Sequence, residues 1–346
     1  YLPNPNLRWE KVEAWEAGFE TNLLRNRLHF EGVYYKKNTK DLLAEVPGIS
    51  GTIPGIGNLG EIQNKGVEMA VTWRDQIGDF QYGVSFNMSD AQQKITRYPN
   101  PSNSLNTYYE GQMLNEIWGY TTIGIAQNDA EMQEHLSKVD QSALGSGWGA
   151  GDIMYADLNG DGRVNTGSYT TDDPGDLRVI GNSTPRYNYG FTLDGSWKGF
   201  DLRLFFQGIG KRDLWLPGTY FWGTNGGMWQ SNVFEEHLDY WTPENPDAYY
   251  ARPSWTGRNH QTQTGYLQNG AYLRLKNITL GYTLPKAWTQ KASMENVRIY
   301  ISGDNLLTFS HVSSIFDPEN IGSLYSDAGK TYPLQRVISV GVNINF

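Results

Sequence analysis

The segment DLNGDGRVN, residues 157–165, has the residue types and spacing of the first half of a calcium-binding loop. Such loops take oxygen ligands from positions 1, 3 and 5, turn sharply at a glycine in position 6, and use a backbone carbonyl at position 7. Those positions are held here by Asp157, Asn159, Asp161, Gly162 and Arg163. The pattern predicts a calcium ion that orders a long loop and takes no part in a reaction.

The second half of this loop departs from the pattern. Its twelfth position is Ser168, where a bidentate glutamate is expected. The acidic segment TTDDPGD follows at 170–176, and a carboxylate from Asp172, Asp173 or Asp176 could complete the coordination shell. Asp173 is the one we select as the predicted ligand. The alternative is a polar Asn/Gly turn that binds no metal.

Motifs for catalysis or nucleotide binding are weak in this sequence. It has no H-E-x-x-H, no G-x-S-x-G and no cysteine. Glu235, Glu236 and Asp239 are close in sequence, but spacing alone does not separate a glycosidase pair from chance neighbours. The segment GIGNLG at 55–60 leads into a predicted strand and lacks the following helix that a dinucleotide site requires. We predict that the chain is not an enzyme and has no catalytic residues.

The segment DLWLPGTYFWGTNGGMW, residues 213–229, is rich in aromatic side chains. These side chains could stack on sugar rings or contact a partner protein that covers them. They could equally form the small internal core that a long loop needs. The predicted contact residues are Trp215, Tyr220, Phe221, Trp222 and Trp229.

Nine segments alternate between apolar and polar residues, as half-buried strands do. The last of them, RVISVGVNINF, places Ile338, Val340, Val342, Ile344 and Phe346 on one face. We predict strands at about 12–22, 27–37, 62–74, 80–92, 187–197, 200–210, 271–284, 297–307 and 336–346.

The connections between these strands alternate in length. Short ones are predicted at 23–26, 75–79, 198–199 and 285–296, and long ones at 38–61, 93–186, 211–270 and 308–335. Short turns on one rim and long loops on the other are typical of outer-membrane barrels. To preserve this alternation, we place EIWGYTTIGIA (116–126) in an outside loop, as a hairpin or a lumen-facing segment. The apolar faces then contact lipid.

The opposite faces of the predicted strands are polar and would line a lumen. The lumen-facing candidates are Glu68, Arg74, Gln81, Asn87, Asn188, Asp194, Arg203 and Gln207. An odd count of nine strands does not close a small bacterial barrel, since such barrels have even numbers of strands from 8 upward. The C-terminal part of a larger barrel fits better.

Composition excludes several classes of protein. The net charge of −9 argues against a nucleic-acid partner, which requires a basic face. No apolar run approaches the roughly 18 residues of a transmembrane helix, whereas alternating barrel strands escape such a search. No signal peptide is visible at YLPNPNLRWE, so under the barrel interpretation the sequence lacks its natural start.

Several segments together resemble the C-terminal part of the SusC/RagA-family TonB-dependent transporters of Bacteroidota outer membranes. They occur in the family order and cover nearly the whole chain. They include EIQNKGVEMAVTWR, DLNGDGRVN, PRYNYGFTLDGSW, NGAYLRLKNITLGYTLP, FDPE and the terminal strand.

The resemblance implies an all-β fold, a transmembrane antiparallel β-barrel with long extracellular loops. Residues 1–346 would be the last nine or so strands of a 22-stranded barrel, without the plug domain and N-terminal segments. It implies a multi-pass protein of the cell outer membrane that imports oligosaccharides, or peptides in the RagA branch. The implied partners are a SusD-like surface lipoprotein and TonB, which acts through the missing N-terminal part.

Two other interpretations remain open at this point. One is a passive porin or adhesin barrel, which an upstream plug and TonB-contacting segment would exclude. The other is a secreted β-rich enzyme acting on glycans, which solubility without detergent would favour.

Overall fold

The computed structural model describes residues 4–45, 55–224, 233–321, 331–332 and 334–346. In these residues the strands are β1 Lys11–Leu23, β2 Leu28–Glu45, β3 Ile56–Ile77, β4 Phe80–Arg97, β5 Glu116–Gly119, β6 Thr122–Ile125, β7 Ile153–Tyr155, β8 Arg178–Asn182, β9 Arg186–Trp197, β10 Phe200–Lys211, β11 Asp213–Leu214, β12 Gln268–Asn269, β13 Tyr272–Thr283, β14 Asn296–Ser310 and β15 Val337–Asn345. The α-helices are α1 Asp129–Lys138, α2 Thr219–Trp222 and α3 Lys286–Thr289.

Nine long strands form one sheet, in the order β1-β2-β3-β4-β9-β10-β13-β14-β15. Every neighbouring pair is antiparallel. The nine predicted strands are therefore confirmed, and each lies beside its neighbour in sequence among them. Such an up-and-down arrangement is typical of outer-membrane barrels.

The predicted bounds of the long loop at 38–61 are wrong, because the flanking strands extend into this range. β2 and β3 continue pairing through two irregularities as far as Glu45 and Ile56. Asp41 has a positive φ of 58° at this irregular stretch. In this stretch the alternation of apolar and polar residues is interrupted, although the backbone hydrogen bonds between β2 and β3 continue. The alternation therefore predicted strand ends that are too early.

The two faces of the sheet differ in polarity. On β15, Ile338, Val340 and Val342 share one face and are exposed, Val340 to 75%. They pair across the ladder with the apolar Gly303, Ile301 and Ile299 of β14. Apolar side chains at this exposure suit contact with lipid hydrocarbon.

The helices in the described part of the chain are all too short or too polar to cross a membrane.

Two tyrosines on the polar face lie across glycines of the neighbouring strand. Tyr35 is paired with Gly66, and Tyr300 is paired with Gly341. A Cβ atom added at either glycine would overlap the tyrosine ring. Aromatic cover of a glycine helps to hold register in curved sheets, so these pairs position β2 on β3 and β14 on β15.

The long connections lie on one rim because the nine strands alternate in direction. We call residues 98–185, 212–271 and 311–321 the cap. Within it, β5 pairs with β8, β6 with β7 and β11 with β12. The segment 116–126 lies in the long connection between β4 and β9, and its two strands pair with later cap strands, so they do not form a hairpin together. Its place outside the membrane stays a prediction.

The cap has its own hydrophobic core, drawn from all three of its segments. Tyr155 and Phe221 are fully buried there, beside Phe316. The other buried members are Ile117, Tyr120, Ile153, Val164, Leu177, Leu214, Trp215, Leu216, Trp222, Tyr250, Ala251, Tyr266, Val312 and Ile321. This core makes the cap a folded layer on the rim of the sheet.

Candidate functional site

The loop at 157–165 has the internal turns of a calcium-binding loop. The carboxylate of Asp157 accepts hydrogen bonds from the backbone N–H groups of Gly160 at 2.7 Å and Gly162 at 2.8 Å. Both glycines have positive φ angles, 78° and 79°, which glycine adopts without steric cost. The carboxylate of Asp161 accepts from the backbone N–H of Arg163 at 2.8 Å.

Two downstream carboxylates complete this loop in different ways. Asp176 is fully buried and accepts from the backbone N–H groups of Leu158 at 2.7 Å and Asn165 at 2.9 Å, which ties the two ends of the loop together. Asp173 instead accepts from the hydroxyl of Ser168 at 2.6 Å. This hydrogen bond is the main reason that the pKa of Asp173 is lowered.

The side chains of this loop also contact one another. In the described ranges, no group of three or more histidine or acidic side chains is placed to hold a metal ion. Asn159 donates from its side-chain amide to Asp161 at 3.2 Å, so part of the predicted ligand set is engaged within the loop. Calcium binding at this loop stays a prediction, with the ligands expected from Asp157, Asn159, Asp161, Arg163 and Asp173.

The predicted contact aromatics lie mainly inside the cap. Trp215 is 5% exposed and Phe221 is fully buried, so neither has a free face for a sugar ring or a partner. Their burial matches the internal core that the sequence offered as the alternative. Tyr220 is half-buried against Phe234, with ring centroids 5.5 Å apart. Trp229 lies outside the described residues.

Trp222 differs from these neighbours because it borders a cavity. The cavity has a volume of about 230 Å³ and is lined by residues of the second cap segment, which include the aliphatic Val233, Leu238 and Pro253 as well as aromatic and polar side chains. Trp222 is 6% exposed and packs against His260, with ring centroids 4.4 Å apart.

A buried carboxylate joins the first cap segment to the second. Asp152 is fully buried and accepts hydrogen bonds from Arg252 Nε at 2.8 Å and Asn259 Nδ2 at 2.9 Å. Arg258 Nε lies 3.3 Å from the same carboxylate. Because several charge-assisted hydrogen bonds meet at one buried group, this cluster holds the two segments together.

A second charged cluster joins the third cap segment to the sheet. Arg274 of β13 is 3% exposed and donates to both carboxylate oxygens of Asp317, at 2.8 and 2.9 Å. It also donates to Glu319 at 2.7 Å, and Lys276 contacts Glu319 at 2.9 Å. The FDPE segment at 316–319 thus supplies Asp317 and Glu319 to this contact.

Sequence reasoning did not single out Asp152, Arg252 or Arg274. Each is a charged residue whose ion-pair partner lies far away in the sequence, 100 residues for Asp152 with Arg252 and 43 for Arg274 with Asp317. No local spacing pattern in the sequence predicts an ion pair between residues so far apart. Asp152 immediately precedes the buried run Ile153–Tyr155, which is the one local indication that its side chain is also buried.

The predicted lumen-facing residues share one face of the sheet. The ladder pairs Arg74 with Gly83, Gly83 with Asp194, and Asp194 with Arg203, so these side chains form a row across four strands. With Gln81 they line a groove of about 970 Å³ at the short-turn rim. Further rows place Asn87 and Gln207 opposite Gly190, and Glu68 and Asn188 opposite Ser89.

Comparison with known proteins gives consistent results. A family described as "TonB dependent receptor-like, beta-barrel" matches residues 1–193. The chain is 30% identical to TonB-dependent receptor P3 of Formosa agariphila over 99% of its own length and 35% of that protein. It is 23% identical to TonB-dependent receptor SusC of Bacteroides thetaiotaomicron over 99% of its length and 32% of that protein.

Among solved structures, the chain resembles the one titled "Structure of the RagAB peptide transporter". The TM-score is 0.73 with 26% identity, over 100% of this chain and 36% of that one. The chain thus spans about a third of the length of the relatives it matches.

Proposed function

Because the chain belongs to the TonB-dependent receptor β-barrel family, of SusC/RagA type, we propose that it forms the C-terminal wall and cap of an active importer of oligosaccharides. The chain lies in the outer membrane as a multi-pass barrel protein, which is the location of this family. It is not an enzyme, since the family consists of transporters.

One structural observation carries the proposal of gated import. The sheet has an exposed apolar face and a polar face, and the cap segments meet in one folded layer on a single rim. The apolar face suits lipid, the polar face suits a passage, and the cap suits capture of a substrate at the entrance.

The proposal includes two partners. A SusD-like surface lipoprotein covers the cap side and retains the substrate. TonB supplies energy through the plug and the TonB-contacting segment that the resemblance implies. The groove beside Arg74, Asp194 and Arg203 lies at the short-turn rim, where such a plug would meet the wall of the barrel.

A second candidate is an importer of oligopeptides. The observation that favours it is the likeness to the RagAB peptide transporter, with a TM-score of 0.73 across the whole chain. The likeness to SusC supports a TonB-dependent receptor without naming a cargo.

Deletion of the gene in its native bacterium tests these candidates. Under the proposal, the deletion strain fails to grow on at least one purified oligosaccharide as sole carbon source but grows normally on the constituent monosaccharides. A strain lacking TonB shows the same defect. Failure on peptides with normal growth on oligosaccharides would support the second candidate, and a defect independent of TonB would indicate a passive pore.

A further inference from the structure

A hollow lies on the apolar face of the sheet, beside the short-turn rim. Its volume is about 260 Å³, and Gly195 of β9 lines it. Because glycine has no side chain, the backbone of the strand is uncovered at this position. Larger apolar residues surround it, namely Phe80, Trp197 and Phe200 next to the short turns and Leu280 on β13. The hollow therefore exists because one small residue lies among large apolar ones.

The hollow faces outward, toward the lipid. Gly195 pairs with Leu202 of β10, on the face that carries the exposed apolar side chains. Asp194 and Asp201 also border the hollow, but the Asp201 carboxylate accepts from Arg298 Nε at 2.9 Å on the polar face. The strands β4, β9, β10 and β13 each have neighbours on both sides in the sheet. Strands that close a barrel would join at β1 or β15 and would leave the hollow in contact with the bilayer.

The hollow reaches from the rim into the depth of the bilayer. It extends from Trp197 and Phe200 to Leu193 and Leu204, which lie four residues farther along β9 and β10. At ~3.3 Å per residue this distance is about 13 Å along the strands. An acyl chain that enters from the rim has the length and the apolar surface to fill it. An empty hollow would leave its lining atoms without contacts on one side and would lose their dispersion energy.

A pair of opposite charges lies at the mouth of the hollow. Lys198 Nζ lies 5.2 Å from the centre of the Trp197 ring and 4.0 Å from a carboxylate oxygen of Asp79. The side chains of Lys198 and Asp79 are 62% and 72% exposed. Exposed pairs of this kind contribute little to folding, so this pair can rearrange around a ligand at small cost.

The charge pair matches the head group of one class of phospholipid. Lys198 is attracted to a phosphate, which all phospholipid head groups carry. The carboxylate of Asp79 accepts charge-assisted hydrogen bonds and therefore favours an ammonium group with N–H donors. Phosphatidylethanolamine has such an ammonium group, joined to its phosphate through two carbon atoms. Phosphatidylcholine has no N–H donor in its head group, and the head group of phosphatidylglycerol has no cation.

We infer that this hollow binds one phosphatidylethanolamine molecule of the periplasmic leaflet, with an acyl chain over Gly195 and the head group between Lys198 and Asp79. The short turns of outer-membrane barrels are periplasmic, which places this rim in that leaflet. The same stretch of β9 and β10 carries Asp194 and Arg203 at the lumen groove, so the lipid would lie directly behind that groove. The inference requires the membrane location of the chain and does not depend on its cargo.

The test is native mass spectrometry of the full-length protein, purified in detergent and titrated with one phospholipid at a time. The probes are phosphatidylethanolamine, phosphatidylcholine and phosphatidylglycerol with identical acyl chains. We expect one molecule of phosphatidylethanolamine to bind more tightly than either of the other two lipids. Gly195→Leu should weaken the binding of all three lipids by about tenfold, because the new side chain occupies the place of the acyl chain.

Two substitutions at the mouth of the hollow test recognition of the head group. Lys198→Gln should weaken the binding of all three lipids by about two- to tenfold, since each carries a phosphate. Asp79→Asn should remove the preference for phosphatidylethanolamine over phosphatidylcholine. Both residues are exposed beside turns, so these two variants decide the question if Gly195→Leu lacks the heat-dependent mobility shift of a folded barrel.

Matched controls are Gly32→Leu and Lys291→Gln. At Gly32 of β2 an added Cβ would also meet a phenylalanine ring, and Lys291 is exposed in the 285–296 connection, but neither residue lines the hollow. Both variants should bind phosphatidylethanolamine as the wild type does.

Four outcomes would overturn the inference. The wild type could bind none of the lipids or all three equally. Lys198→Gln, or a folded Gly195→Leu, could bind as tightly as the wild type. Gly32→Leu could weaken binding as much as Gly195→Leu does. Gly195→Leu could dissociate a dimer of the chain without any loss of lipid, which would make this face a contact between two copies.

Discussion

Asp152 is a single buried carboxylate on which two segments of the cap depend. Asp152→Asn removes its charge and leaves Arg252 and Arg258 facing an uncharged amide. Breaking one side of a buried ion pair costs about 3–5 kcal/mol, and we expect the lower end because Arg252 is one-third exposed. The cap should loosen, and trypsin should cleave after Arg258 faster than in wild type, whereas the Arg252–Pro253 bond resists trypsin in both proteins.

The control for Asp152 is Glu134→Gln on α1. Glu134 pairs with Lys138 at 2.8 Å, but both side chains are exposed. Exposed pairs contribute little, so the digestion pattern should not change. Equal cleavage rates in Asp152→Asn and wild type would show that the cap is held by its apolar core alone.

His260 should make the stability of the protein depend on pH. Its pKa is lowered to about 4 in the fold by burial, from an ordinary value near 6.5. The unfolded chain therefore binds a proton before the folded one does. The stability of the fold with neutral His260 is therefore fully present above about pH 6.5. As the pH falls toward 4, the free energy of unfolding decreases by roughly 1–3 kcal/mol because of this one group.

Thermal unfolding of the full-length protein between pH 7 and pH 4.5 measures this effect. His260→Phe removes the titrating group and keeps a ring against Trp222. The decrease in Tm over this range should be smaller in the variant than in the wild type. Parallel curves for the two proteins would mean that His260 is protonated without cost in the folded state.

At the scale of strands, Gly341 shows how one residue can set register. Gly341→Val on β15 would bring a branched side chain against the ring of Tyr300, which covers this position. Overpacking of this kind costs about 1–3 kcal/mol. We expect a smaller folded fraction, measured by the heat-dependent mobility shift of barrels on gels.

The double variant Gly341→Val with Tyr300→Ala tests the contact itself. If the clash causes the loss, removing the ring should restore part of the folded fraction, and the two effects will not add. Additive losses would instead point to the strand preference of residue 341. Gly124→Ala is a suitable control, because nothing lies within 4 Å of the added Cβ.

The strands were predictable because their pattern repeats every two residues wherever one face is apolar. β9, β10 and β15 begin or end within a residue or so of the predicted limits. The outer parts of β2 and β3 were not predictable in this way, because no apolar face marks them. The cap was least predictable, since Asp152 and Arg252 meet only through the fold.

The candidate site was predictable in composition more than in arrangement. The aromatic run from Trp215 to Trp222 was recognised as a unit, but its sequence does not say which rings face inward. Phe221 is buried because it meets Tyr250, Tyr266 and Phe316, which come from distant parts of the chain. Only Trp222 of that run borders the cavity.

At the scale of the whole molecule, the effect of an added charge on folding and membrane insertion should depend on which face of the sheet carries it. Val342 and Asn343 are neighbours on β15, but Val342 pairs with Ile299 on the apolar face and Asn343 pairs with Arg298 on the polar face. Val342→Asp places a charge in lipid. That change should destabilise the folded barrel by about 1–3 kcal/mol, because an acidic residue on the lipid face costs less than arginine or lysine, which cost about 2–4 kcal/mol at the bilayer midplane.

Asn343→Asp adds the same charge one residue away, on the polar face beside Arg298, which already forms an ion pair with Asp201. Only Val342→Asp should reduce the amount of heat-resistant, folded protein recovered from outer membranes. If both variants insert equally well, the apolar face does not contact lipid. The sheet would then require burial against another protein surface, and the importer proposal would fail with it.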